Sequence, residues 1–158
     1  MSTFKNLYIF TFGLMAGSLM VKDNNNNDLR KYTWESPPTV VLCSDSEYSD
    51  WSATNAVTFW KKQGIPIKKY ISEKSSSFCY NNKPIGYIFI KNGNFSDNDV
   101  LGRTKIYKDK GHVVFAEVFI DNKKTNLKYL LEHELGHALG FKHVDICLLY
   151  TSDAADEV

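Results

Sequence analysis

Residues 133–143 read His-Glu-Leu-Gly-His-Ala-Leu-Gly-Phe-Lys-His, and most of what the chain says about fold and function follows from them. His133 and His137 stand four apart, so on a helix they project from one face about one turn apart. Two imidazoles so placed can reach one zinc ion. Glu134 lies roughly 100° around the helix from His133 and roughly 60° from His137. It flanks the metal face without ligating, where a carboxylate can take a proton from metal-activated water. Gly140 can leave the helix with positive φ, and the chain can then double back to bring in His143 as a third nitrogen ligand. Three protein ligands leave the fourth tetrahedral position to water, which marks a catalytic rather than a closed structural site. A histidine-bearing amphipathic helix with no metal would explain His133 and His137, but not Gly140 and His143 at these offsets.

The stretch resembles the zinc-binding consensus of the metzincin metallopeptidases, and the wording from Leu131 to His143 is closest to the matrixin-like branch. The resemblance implies a zinc-dependent endopeptidase acting on protein or peptide. Zn2+ would be held by His133, His137 and His143, and Glu134 would be the catalytic base and proton shuttle. The rival from another class is a zinc-binding, non-proteolytic surface or structural module on a metzincin-like shell. The intact Glu134 speaks against it, because a structural site needs no base.

The resemblance is incomplete at one end. Metzincins carry a methionine-bearing turn beneath the zinc, downstream of the third histidine, whereas the methionines of this chain are Met1, Met15 and Met20. Residues 147–157, Cys-Leu-Leu-Tyr-Thr-Ser-Asp-Ala-Ala-Asp-Glu, resemble the in-frame translation of a sequencing-library adapter. Residues 147–158 are therefore read as a non-native tail and set aside from fold reasoning, with a natural acidic tail as the alternative. A truncated metzincin, inactive for want of its Met-turn, is the third functional reading. No Pro-Arg-Cys-Gly latency motif is present, and His112 lacks the His-x-Asp pattern of the matrixin structural zinc.

With 158 residues, one domain is the natural count. The formal charge is +1, and setting aside Asp153, Asp156 and Glu157 of the tail leaves +4. The lysine pairs 61–62, 68–69 and 123–124 are spread among polar residues and read as solvated faces, so no nucleic-acid partner is expected. Lys5 precedes an apolar run over residues 7–20, and Ala16, Gly17 and Ser18 are small. That pattern reads residues 1–20 as an export signal, too short to be a stable membrane span. A buried N-terminal strand or an uncleaved anchor are the alternatives. Residues 21–38 form a polar spacer, and residues 39–146 an incomplete catalytic domain. The expected location is secreted or extracytoplasmic. Cys43 and Cys79 can there join as a disulfide, with two free buried thiols as the alternative. Oligomeric state and substrate preference are not legible.

The periodicities predict an α/β fold, with a twisted mixed sheet backed by two helices. Strands are expected at 39–43, 65–71 (an edge, given Pro66), 85–90, 102–110 and 112–121. Residues 72–83 read as polar loop, and Lys91 to Asn94 as a turn. A first helix is capped by Ser49 or Asp50, buries Ala53, Ala56, Val57 and Trp60, and ends at Gly64. The second, 125–139, carries the zinc motif over an apolar face of Leu127, Leu130, Leu131, Leu135 and Ala138. This layout matches the N-terminal subdomain of metzincins, which implies that residues 113–121 form the edge strand that pairs with substrate. Trp34, Trp51, Trp60 and Phe115 read as core, and Glu132 as a helix-surface charge. Glu117 reads as either solvent-facing or part of a substrate subsite.

Overall fold

Residues 6–12, 30–72, 76–81 and 83–142 are described by the computed structural model. His143, residues 13–29 and the tail 147–158 lie outside them. Strands β1 (Asn6–Phe12), β2 (Thr33–Trp34) and β3 (Thr39–Leu42) are followed by helix α1 (Asp50–Lys62), strand β4 (Lys69–Ser72) and helix α2 (Ser76–Asn81). Strands β5 (Tyr87–Asn92), β6 (Gly102–Asp109) and β7 (His112–Ile120) then lead to helix α3 (Leu130–Ala138). Among the described residues the strands form one mixed sheet in the order β1-β6-β7-β5-β3-β4, with β2 beside the start of β7. Strands β4, β3, β5 and β7 run parallel, while β6 is antiparallel to β7 and β1 antiparallel to β6.

Local chemistry accounts for these elements. The Ser49 hydroxyl accepts from the Ser52 N–H and caps α1, whose apolar stripe Ala53, Ala56, Val57 and Trp60 is buried as its spacing predicts. The β6–β7 hairpin turns at Lys110 and Gly111, both with positive φ (47° and 88°), which suits the right-handed twist of the paired strands. Alternation along the strands then gives the sheet two dissimilar faces. One face, with Val40, Leu42, Ile88, Ile90, Ala116, Val118 and Ile120, packs against α1 and α3 as the main core. The other carries Val41, Phe89 and Phe115 beneath α2, where a disulfide joins Cys43 to Cys79. That bond closes a 36-residue separation and contributes roughly 4 kcal/mol in the chain-entropy treatment.

Several expectations need correcting. Strand β7 is not an edge: it bonds to β5 on one side and β6 on the other. The strand beside it, β6, borders α3, and its outer side is paired along Gly102–Lys108 by Asn6–Phe12, part of the segment read as an export signal. The zinc-motif helix starts at Leu130 rather than near Thr125, because Tyr129 sits in the left-handed region (φ 63°) and interrupts any helix before it. Leu127 falls in the preceding turns and is 40% exposed, so it leaves the expected apolar face. Residues 72–83 are not all loop, since α2 lies within them. Residues 65–68 precede β4, yet Ile65 and Ile67 are buried in the main core. Strand β5 runs on through Lys91 to Asn92, where a turn was expected. Trp51 is 75% exposed and is no core residue, whereas Trp60 and Phe115 are buried and Trp34 partly so.

Candidate active site

Helix α3 is set in place by its neighbours before its histidines matter. The Trp60 indole N–H of α1 donates to the Glu132 carbonyl (2.8 Å), and the Trp34 indole N–H donates to the Ala138 carbonyl (2.9 Å). Leu130, Leu131, Leu135 and Ala138 are buried against α1 and the sheet. Both ends of the helix are thus fixed by apolar contact and by a hydrogen bond to its own carbonyls.

The helix ends as the sequence predicts. Gly140 has φ 104°, its N–H donates to His137 O (2.9 Å), and the Phe141 N–H donates to Gly136 O (3.1 Å). That pair of bonds is the Schellman pattern. A side chain at Gly140 is excluded twice over: by φ, and because a Cβ would lie 2.0 Å from the Tyr32 carbonyl oxygen. The Gly140 carbonyl in turn accepts from the Lys31 and Tyr32 N–H groups. Phe141 is anchored by stacking on Trp60 (centroids 5.0 Å apart).

This turn sets the chemistry of His137. The Phe141 carbonyl lies 2.9 Å from His137 Nδ1. A carbonyl can only accept, so Nδ1 carries the hydrogen and Nε2 keeps its lone pair. His133 Nε2 lies 3.0 Å from His137 Nε2, with the rings nearly perpendicular (88°), so both nitrogens converge on one point. An imidazole oriented by a carbonyl on its far nitrogen is a recurrent arrangement of metal-ligating histidine. Among the described residues no three His, Cys, Asp or Glu side chains gather as a metal-binding group. His133 and His137 supply two donors there, and the expected third, His143, lies outside the described residues.

Glu134 is fully buried and points to β6. Its Oε2 accepts from the Thr104 hydroxyl at 2.6 Å, and Thr104 Oγ1 also lies 3.0 Å from the Glu134 carbonyl oxygen. Oε1 is buried without a protein hydrogen-bond partner. Burial pushes the carboxyl up to about 8, against which the Thr104 hydrogen bond acts weakly. A buried carboxyl with its pKa raised to about 8, next in sequence to one of two converging imidazoles, has the chemistry of a group that takes up and returns a proton. His133 and His137 are two nitrogen donors of the kind a zinc ion takes.

Two of the four sequence-derived site residues, His133 and His137, thus come together, while Glu134 on the same helix turns its carboxyl to β6. Thr104 and Gly102, which enclose Glu134, were not singled out, since a threonine and a glycine in a strand carry no chemical signature of their own. Glu117 is not solvent-facing. It is buried on the opposite face of the sheet in an ion pair with Lys91 (2.7 Å) and accepts from the Tyr107 hydroxyl (2.8 Å). Burial alone would raise its pKa, but hydrogen bonds from Lys91 and Tyr107 and the charges of Lys91 and Lys83 outweigh that and hold it below the ordinary value. Glu132 is half-buried rather than a plain surface charge, and desolvation raises its pKa. His112 is exposed, with its Nδ1 3.2 Å from Thr33 Oγ1. Among the described residues no helix is long and apolar enough to cross a membrane. No protein-family model, curated protein or solved structure matches the chain.

Proposed function

We propose that the chain is a metzincin-like, zinc-dependent endopeptidase, with His133, His137 and His143 as metal ligands and Glu134 as the base. The observation that carries this reading is the convergence of His133 Nε2 and His137 Nε2 at 3.0 Å, with the His137 tautomer fixed by Phe141. Zinc bound there would supply Lewis-acid activation of a water and of the scissile carbonyl. Glu134 accepts the proton of the attacking water and passes it to the departing amine. The substrate is a protein or peptide. The disulfide between Cys43 and Cys79 is consistent with a secreted or extracytoplasmic location.

The test pairs metal analysis with cleavage of an unstructured protein. The purified chain should bind one zinc per molecule and cleave the substrate, and His137→Ala should lose both. Zinc without cleavage would favour the non-proteolytic module. Failure to bind zinc would remove the ligand assignment.

A further inference from the structure

The zinc-motif helix delivers Glu134 to its neighbourhood but does not by itself fix its carboxyl, which still has its side-chain torsions to settle. A base acts only when held within hydrogen-bond reach of the proton it takes. Strand alternation places Gly102 and Thr104 on the face of β6 that meets α3. Thr104 is fully buried, and its hydroxyl reaches both the carboxyl oxygen Oε2 (2.6 Å) and the main-chain carbonyl of Glu134 (3.0 Å). With the carboxyl protonated, Thr104 accepts from Oε2 and donates to the carbonyl; with it ionised, the single hydroxyl hydrogen goes to Oε2. Because a hydroxyl can both donate and accept, the contact with Oε2 survives whichever partner holds the shared hydrogen. Gly102 supplies the wall. A Cβ there would lie 2.8 Å from Glu134 Cγ and 2.9 Å from Cδ and Oε1, so the carboxyl fits only against a residue without a side chain. Oε2 is tethered, while Oε1 is buried against the Gly102 floor with no hydrogen-bond partner.

We propose that Thr104 is a positioning residue for the base, its hydroxyl holding the Glu134 carboxyl over the Gly102 floor. This inference rests on the peptidase reading above for its catalytic consequence. The hydroxyl is the operative group, so the shape-matched Thr104→Val should lose the effect and Thr104→Ser should keep it.

The experiment measures kcat and KM on a peptide substrate for the wild type and both variants, with zinc affinity by chelator competition and urea unfolding of the zinc-free proteins. Thr104→Val is expected to lower kcat by roughly ten- to a hundredfold, the scale of a small misplacement of a reacting group, with KM and zinc affinity nearly unchanged. Thr104→Ser should restore most of kcat. An unchanged kcat in Thr104→Val, or an equal loss in Thr104→Ser, overturns the proposal. If the wild type cleaves nothing, the peptidase reading fails on its own. The socket is then decided by unfolding of Thr104→Val, Glu134→Gln and the double variant. Non-additive shifts of the urea midpoint support it, and additive shifts overturn it.

Discussion

Replacing Glu134 by glutamine in the zinc-free protein should stabilise the fold, and increasingly so as pH rises. Burial lifts the carboxyl from its ordinary 4.5 to about 8. A folded pKa raised in this way leaves stability untouched below about pH 4.5, where the group is protonated in both states. Between 4.5 and 8 the unfolded chain ionises while the folded one resists, so the wild type loses about 1.4 kcal/mol per pH unit. At pH 7 the accumulated loss is about 3 kcal/mol. Glutamine does not ionise. Any fixed difference in packing or hydrogen bonding between the two side chains is the same at every pH, so the slope isolates the buried charge. The assay is urea unfolding of both proteins with a chelator present at pH 5, 6 and 7, read as stability of Glu134→Gln minus wild type. The difference should grow by about 2–3 kcal/mol across that range. A flat difference would refute the placement of an ionisable carboxyl in a dry socket.

On the far face of the sheet, Glu117→Gln should destabilise by about 3 kcal/mol in urea unfolding, because it leaves Lys91, 3% exposed, as an uncompensated buried charge. Replacing both residues by leucine should recover most of that loss. The Glu117 carboxyl is held below its ordinary value, so its stabilisation is present above the unfolded carboxylate range and fades as pH falls through the depressed value. An acid-unfolding profile of wild type against the double-leucine variant shows whether it does. Gly102→Ala drives a Cβ into the Glu134 side chain and should cost about 1–3 kcal/mol of stability along with much of the turnover, measured on one preparation. Converting Cys43 and Cys79 to alanine should remove roughly 3–4 kcal/mol while leaving zinc binding intact, since the bond lies on the face opposite α3.

Much of this arrangement is legible in the sequence because it rests on local rules. The α1 stripe, the Ser49 cap, the Lys110-Gly111 hairpin and the Gly140 helix end each depend on neighbours within a few residues, and all stand as read. The two histidines and Glu134 likewise follow from helical spacing. What depends on distant pairing was not legible. Whether β7 lies inside the sheet or at its edge is decided by strand order, which a hydrophobic run does not encode, and the strong apolar signal of β7 reflects burial on both of its faces. The late start of α3 turns on the positive φ of Tyr129, a residue whose type does not announce it. The buried ion pair did leave a trace: Lys91 and Glu117 each interrupt an otherwise apolar run, in strands that lie side by side. Thr104 left none, because its meaning comes only from the carboxyl brought against it.

The central claim is that Glu134 is the base of a zinc peptidase, and Glu134→Ala tests it most directly. Zinc content and peptide cleavage should be measured on wild type and variant side by side. Equal zinc is expected in both, with turnover lowered by roughly 10²–10⁴ in the variant. Cleavage at the wild-type rate by Glu134→Ala, with zinc bound, would contradict it.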